Sequence, residues 1–311
     1  MKHFLKLLDC SRDEMTAILD LADQLKYEKK HHIAHRILEG KSLGMIFQKP
    51  STRTRISFEA GMYQLGGQAM FLTNRDLQIG RGELIQDTAR VMSRYLDGIV
   101  IRTYDQQEAE TLASYGSIPV INGLTNFAHP CQVMADLMTI REHFAQLEGL
   151  KMAFVGDGFN MCNSLIVGCL KAGMDVSVAT PVGYEPHPDV LAFAEQCKAE
   201  GAYFDISNDP RRAAEQADVL ITDAWTGMGQ EDEAEQRRQI FDGFTVNHDL
   251  LACCKEGVMV QHCLPAYRGE EISDAVLEEH ADEIFEESEN RLHAQKAILV
   301  TLMSEKYEIL G

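Results

Sequence analysis

The sequence has no excess of basic residues, no long apolar run and no paired-cysteine motif, and each absence removes a class of function. Lys and Arg number 29 against 48 Asp and Glu, a net charge of -19. Binding along a nucleic-acid backbone needs a basic footprint, so nucleic acid is excluded as a partner. No stretch approaches the roughly 20 consecutive apolar residues of a membrane-spanning helix, so no membrane partner is expected. The opening MKHFLKLLDCS is too short in its apolar part for a secretory signal. The eight cysteines include no Cys-x-x-Cys pair, although Cys253 and Cys254 are adjacent, so neither a zinc site nor a dithiol couple is indicated. Reduced, mostly buried thiols in a cytoplasmic protein are the expectation. Gly-x-x-x-x-Gly-Lys is missing, which argues against a nucleoside triphosphate. Gly156-Asp157-Gly158 begins a dinucleotide fingerprint, but Met161 takes the place of its third glycine. Internal repeats and low-complexity segments are also missing.

What is present is ordinary globular material, 45% hydrophobic and 25% charged over 311 residues, enough for about two domains. Short apolar runs alternate with amphipathic stretches. Strands are expected at Ser42–Phe47, Ala69–Leu72, Gly98–Arg102 and Pro119–Asn122, then at Lys151–Gly156, Asp175–Thr180, Tyr203–Ile206, Val219–Thr222 and Val258–Cys263. Helical patterns lie between them, at Glu83–Tyr95, Gln132–Phe144, Ser164–Ala172 and Asp189–Glu200 among others. This alternation predicts an α/β protein of two doubly wound parallel sheets. The boundary is expected near residues 147–150, giving domains 1–147 and 148–289, with a final helix 290–307 packing back on the first. Ligands of such sheets bind beyond the carboxyl ends of the strands.

One strand end carries a dense anion-binding pattern. After Ser42–Phe47 come Gln48-Lys49-Pro50 and then Ser51-Thr52-Arg53-Thr54-Arg55, which opens a helical stretch. Pro50 stops the strand and Ser51 is a good N-cap residue. The free N–H groups of a helix start attract an anion, and hydroxyls and guanidinium groups add directed hydrogen bonds. The plainer alternative is a capped helix whose arginines pair with surface carboxylates such as Glu59. Arg102 ends another strand, and His129-Pro130-Cys131-Gln132 follows a third.

Together these motifs resemble the aspartate and ornithine carbamoyltransferase family. Its Ser-x-Arg-Thr-Arg pattern appears at Ser51–Arg55, followed by Ser57-Phe58-Glu59, and its His-Pro-x-Gln pattern at His129–Gln132. The second half resembles the ornithine branch at Val155–Asn160, Thr222–Trp225, Met228–Glu231, His262–Ala266 and Glu289–Leu292. The likeness runs in order from about Asp9 to about Met303. It implies an active site in the cleft between the domains, the substrates carbamoyl phosphate and L-ornithine, the products citrulline and phosphate, and a place in arginine metabolism. It also implies a homotrimer, or a multiple of it, with active sites shared between neighbouring subunits. It implies no metal, no organic cofactor and no covalent intermediate.

By the same match, Ser51, Thr52, Arg53, Thr54 and Arg102 would hold the phosphate. Arg102, His129 and Thr54 would polarise the carbonyl oxygen, and Gln132 and Arg291 would orient the carbamoyl group, with the main chain at Cys263 and Leu264 taking its amide hydrogens. Asp223 would receive the ornithine α-ammonium. Asn160 and the main chain around Met228 would receive its carboxylate, and the Cys263 thiol would align the δ-amine. Either the departing phosphate or Asp223 could take the amine proton. The run Gly227–Glu233 has the composition of a closing lid.

Three positions depart from the ornithine pattern. Gly227 stands where the lid reads Ser-Met-Gly, Phe159 replaces the first asparagine of Gly-Asn-Asn, and Tyr267 replaces the histidine of His-Arg-Gly. All three lie on the acceptor side. Putrescine, lysine or an N-acylated ornithine are therefore the alternative acceptors, and a degenerate binding paralogue is the alternative outside enzymes. Retention of Arg53, Arg102 and His129 argues against the latter.

Overall fold

A computed structural model describes residues 1–73, 77–78, 82–227 and 230–305. Among them nine strands form two sheets, parallel at every pairing. The first holds β1 (Ser42–Phe47), β2 (Gln68–Thr73), β3 (Gly98–Arg102) and β4 (Val120–Leu124) in the order β2-β1-β3-β4. The second holds β5 (Lys151–Val155), β6 (Asp175–Ala179), β7 (Phe204–Ser207), β8 (Val219–Thr222) and β9 (Met259–His262) in the order β7-β6-β5-β8-β9. Every expected strand is present, with ends shifted by at most two residues. β3, β4, β8 and β9 are buried at every position. Their runs are mostly apolar, as expected of parallel strands buried on both faces, with polar residues such as Arg102, Thr222 and His262 at their carboxyl ends.

The chain divides into two compact units, one of Met1–Met138 with the chain from Asn290 onward, the other of Thr139–Glu289. Two helices, Pro130–Phe144 and Ala281–Met303, therefore belong partly to each. The latter begins nine residues before the expected Asn290. Its first turn carries Asp282 and Glu283, which the positive end of the helix dipole favours, whereas apolar periodicity becomes evident only further on. Tyr307, the expected end of that helix, lies outside the described residues. No helix among the described residues is long and apolar enough to cross a membrane.

Each unit has its own core. Ile46, Ile99, Ile101 and Val120 pack with Ala89, Met92, Ala109 and Leu112 in the first. Ala153, Val155, Leu220 and Val260 pack with Trp225, Phe241 and Phe244 in the second. Strand order reverses once in each sheet. The chain runs from β1 outward to β2, then returns to β3 on the other side; it runs from β5 to β6 and β7, then returns to β8. The carboxyl ends flanking those reversals are where open parallel sheets hold ligands.

Candidate active site

At the first reversal, the end of β1 leads to Ser51, the N-cap of the Thr52–Gln64 helix. Its Oγ accepts from the Thr54 N–H at 3.2 Å and donates to Thr54 Oγ1 at 3.1 Å. Such a cap stabilises a helix by about 1 kcal/mol, and here it also fixes the Thr54 hydroxyl. Thr54 Oγ1 further accepts from Arg291 Nη2 at 3.1 Å. With both lone pairs engaged, its own proton points away from these partners and is a donor for a ligand. Thr52 is exposed. Arg55, which belongs to the Ser51–Arg55 motif, turns outward instead: it pairs with Glu59 at 3.1 Å and its guanidinium lies 3.7 Å from the Phe71 ring centroid.

Arg102 closes β3, on the other side of the reversal, and is buried. The β3–β4 register shifts between Ile101 and Arg102, an irregularity of the kind that re-aims a side chain at a strand end. Arg102 Nη1 stands 3.5 Å from the Gly123 carbonyl, to which it donates. His129 immediately precedes the Pro130–Phe144 helix and is buried. Burial, reinforced by the charges of Arg291, Arg102 and Arg53, holds its pKa well below the usual histidine value. A neutral imidazole among three guanidinium groups can donate a hydrogen bond without adding a fourth cation. Arg291 Nη1 donates to Gln132 Oε1 at 2.5 Å, and Gln132 Nε2 donates to Asp136 at 2.7 Å. Arg53, Thr54, Arg102, His129, Gln132 and Arg291 thus form one constellation in the first unit. Neighbouring Cys131 takes no part as a nucleophile, since burial pushes its thiol up to about 12.

The second unit repeats the logic with other side chains. Thr222 ends β8 and pairs with His262, which ends β9, so the residues that follow, Asp223 and Cys263, emerge side by side. The Cys263 thiol donates to Asp223 Oδ1 at 3.0 Å, and the Ala224 N–H donates to the same oxygen at 2.7 Å. Desolvation raises the Asp223 pKa despite the nearby His262 and these two hydrogen bonds, which pull it down. Asn160, across the reversal, is the first residue of the Asn160–Lys171 helix and is buried. Gly158 serves packing: a Cβ there would lie 2.3 Å from the Tyr184 carbonyl oxygen and 2.5 Å from the Pro186 nitrogen. Gly227 donates its N–H to Gln230 Oε1 at 2.9 Å. Met228 lies outside the described residues.

Sequence reasoning passed over the groups that hold these residues in place. Buried His262 donates through Nε2 to Glu271 at 2.9 Å and accepts at Nδ1 from the Leu264 N–H at 2.9 Å. Glu271 also accepts from the Tyr267 N–H at 2.6 Å, so the turn after Cys263 is pinned at both ends. Leu264 has φ 54, a left-handed conformation that a leucine adopts only when its surroundings impose it. Asp157 forms a close ion pair with buried Arg237, whose Nε donates to the Trp225 carbonyl at 2.6 Å. Burial raises Asp157 to about 6 against that pairing, with Asp223 adding to the rise. Ligand atoms of Asp223, His262 and Cys263 fall within 4.8 Å of one another. Both ring nitrogens of His262 are committed to Glu271 and Leu264, and the Cys263 thiol to Asp223.

Fold and site together define an all-parallel α/β protein with polar clusters at the carboxyl ends of both sheets, the first a cation-rich cradle for an anion. The chain belongs to the aspartate/ornithine carbamoyltransferase family: residues 2–142 match its carbamoyl-P binding domain and residues 148–302 its Asp/Orn binding domain. An ornithine carbamoyltransferase of Thermococcus kodakarensis is 52% identical over 303 residues, covering 97% of this chain and 96% of that protein. Among solved structures, the ornithine carbamoyltransferase of Pyrococcus furiosus superposes with a TM-score of 0.93 at 51% identity, covering 97% of each chain. The anabolic enzyme of Campylobacter jejuni gives 0.92 at 40% identity, covering 97% of this chain and 99% of that one.

Proposed function

We propose that the protein transfers the carbamoyl group of carbamoyl phosphate to the δ-amine of L-ornithine, giving citrulline and phosphate in arginine biosynthesis. The observation that carries the reading is the neutral His129 set among Arg53, Arg102 and Arg291 beside the Ser51 cap. A phosphate dianion next to a carbonyl that gains negative charge needs that combination of fixed cations and neutral donors. Relatives more than half identical over nearly the whole chain supply the acceptor, and the anabolic Campylobacter enzyme supplies the direction.

In this mechanism Ser51, Thr52, Arg53 and Thr54 hold the phosphate, with Arg102. Thr54, Arg102 and His129 aim donors at the carbonyl oxygen. Gln132, Arg291 and the main chain of Cys263 and Leu264 orient the carbamoyl amide. Asp223 takes the α-ammonium, Asn160 and the main chain near Met228 take the carboxylate, and Cys263 aligns the δ-amine. The δ-nitrogen lone pair forms the new C–N bond, negative charge gathers on the carbonyl oxygen, and the C–O bond to phosphate then breaks. The amine proton leaves to the departing phosphate or to Asp223.

Homotrimeric assembly belongs to this reading. Exposed Ile56 and Tyr63 on one helix, and exposed Leu84 and Tyr95 at another, offer apolar surface for it, and sedimentation velocity tests it. All eight cysteines are free thiols, which fits a reducing cytoplasm. The chemistry is tested with carbon-13-labelled carbamoyl phosphate and ornithine. The label should appear in the ureido carbon of citrulline with one phosphate per citrulline; phosphate release without labelled citrulline would refute the transfer.

A further inference from the structure

Gln295 stands one helical turn beyond Arg291 on the Ala281–Met303 helix and is fully buried. A buried amide needs partners at both ends, and this one lies between Ser57 and the Arg291 guanidinium. Ser57 has one proton, which it donates to the Arg53 carbonyl at 2.6 Å and, less directly, to that of Thr54 at 3.2 Å. Ser57 Oγ can then only accept from Gln295, which assigns the amide nitrogen to Ser57, at 2.5 Å, and the amide oxygen to Arg291. In this orientation Gln295 Oε1 accepts from Arg291 Nη2 at 2.8 Å and from Nε at 3.2 Å. The opposite orientation would set amide hydrogens against guanidinium hydrogens.

Arg291 is thereby fixed on every nitrogen. Gln295 holds Nε and Nη2, Thr54 also holds Nη2, and Gln132 holds Nη1. An arginine on a flexible stem loses rotamer freedom when immobilised. Immobilised beforehand, it incurs none of that cost at the moment of reaction.

We propose that Gln295 is a positioning residue for carbamoyl transfer. It orients Arg291, and through it Thr54 and Gln132, from the backbone of the phosphate loop itself, because the relay starts at the carbonyl of Arg53. The inference rests on the roles proposed above for Arg291, Thr54 and Gln132. Grip on the phosphate and orientation of the carbamoyl group are then one mechanical unit.

The test compares wild type, Gln295→Met and Gln295→Glu at saturating carbamoyl phosphate. Methionine keeps the length but accepts nothing, and kcat should fall by about 10- to 100-fold with KM for ornithine within about twofold. Glutamate still accepts from Arg291 and should recover kcat to within about fivefold of wild type. Wild-type kcat in Gln295→Met, or a Gln295→Glu variant as slow as the methionine one, would overturn the proposal. Should Gln295→Met not fold, Ser57→Ala replaces it: a fall in kcat of about 3- to 10-fold is expected, and an unchanged kcat overturns the proposal. Wild type inactive with ornithine would instead count against the function proposed above, before any variant is compared.

Discussion

The thiol of Cys263 lies 3.0 Å from Oδ1 of Asp223, 40 residues away in sequence. Parallel register produces that contact, since Thr222 and His262 pair on β8 and β9 and each is followed by a member of the couple. The thiol supplies the carboxylate with a donor in a place where an unpaired charge would be costly. Asp223→Asn should raise KM for ornithine by about 100-fold, the value of a charge-assisted contact, and leave KM for carbamoyl phosphate within about twofold. Cys263→Ser keeps a donor and should lose less than Cys263→Ala. Steady-state kinetics in both substrates reads all three.

His129 should stay neutral throughout the physiological range, because burial and three neighbouring guanidinium groups depress its pKa. kcat/KM for carbamoyl phosphate should accordingly show no inflection near 6.5 assignable to this residue. His129→Ala should lose about 100- to 1,000-fold in kcat, the worth of one donor aimed at a developing oxyanion. A wild-type profile that loses an inflection near 6.5 in His129→Gln would contradict this.

Acid should destabilise the fold through His293. Burial, with the charges of Lys296 and Lys26, pushes this histidine down to about 3. The unfolded chain binds its proton near the ordinary histidine value of 6.5, so between those limits the unfolded state holds more protons. The His293 contribution is therefore fully present above about 6.5 and is lost progressively as pH falls toward about 3. Asp157, raised to about 6, works in the opposite sense as pH falls below that value, but it is common to wild type and variant. His293→Gln should flatten the fall in Tm between pH 7 and pH 5, measured by calorimetry; parallel curves would show that His293 is not responsible.

Gly227 leaves space that a serine could use only with one adjustment. A Cβ there would lie 3.0 Å from Gln230 Oε1 and 3.9 Å from Phe159, and the first of these is the end of a flexible side chain. Gly227→Ser should lower KM for ornithine a few-fold, by about 1 kcal/mol of added hydrogen bonding. An unchanged KM would mean that a water or the backbone already makes that contact. Gly158→Ala is a different case. Its Cβ would meet backbone atoms of Tyr184, Glu185 and Pro186 at 2.3 to 2.5 Å. Loss of about 1–3 kcal/mol of stability is expected from such overpacking, visible in urea unfolding.

The strands were legible because parallel strands buried on both faces are short, mostly apolar runs, and the family motifs sit at their ends. Four things were not legible, each for a physical reason. Arg102 ends β3 where its register with β4 shifts, pairing it with Leu124 and skipping Gly123, which no local pattern encodes. Arg55 carries the same charge and motif as Arg53, but its place on the helix turns it to Glu59 and Phe71. The Ser57–Gln295–Arg291 relay joins segments 238 residues apart; only the four-residue spacing of Arg291 and Gln295 on one helix hinted at it. The second cluster was read from its motifs, whereas its supports, His262 with Glu271 and Asp157 with Arg237, required the folded chain.

The most direct measurement offers purified protein carbamoyl phosphate with ornithine, putrescine, lysine, N-acetylornithine and aspartate in parallel, following carbamoylated product. Ornithine should dominate, with kcat/KM at least about 100-fold above every other acceptor, because only it presents an α-ammonium, a carboxylate and a free δ-amine together. Turnover with putrescine alone, or none with any acceptor, would contradict the account.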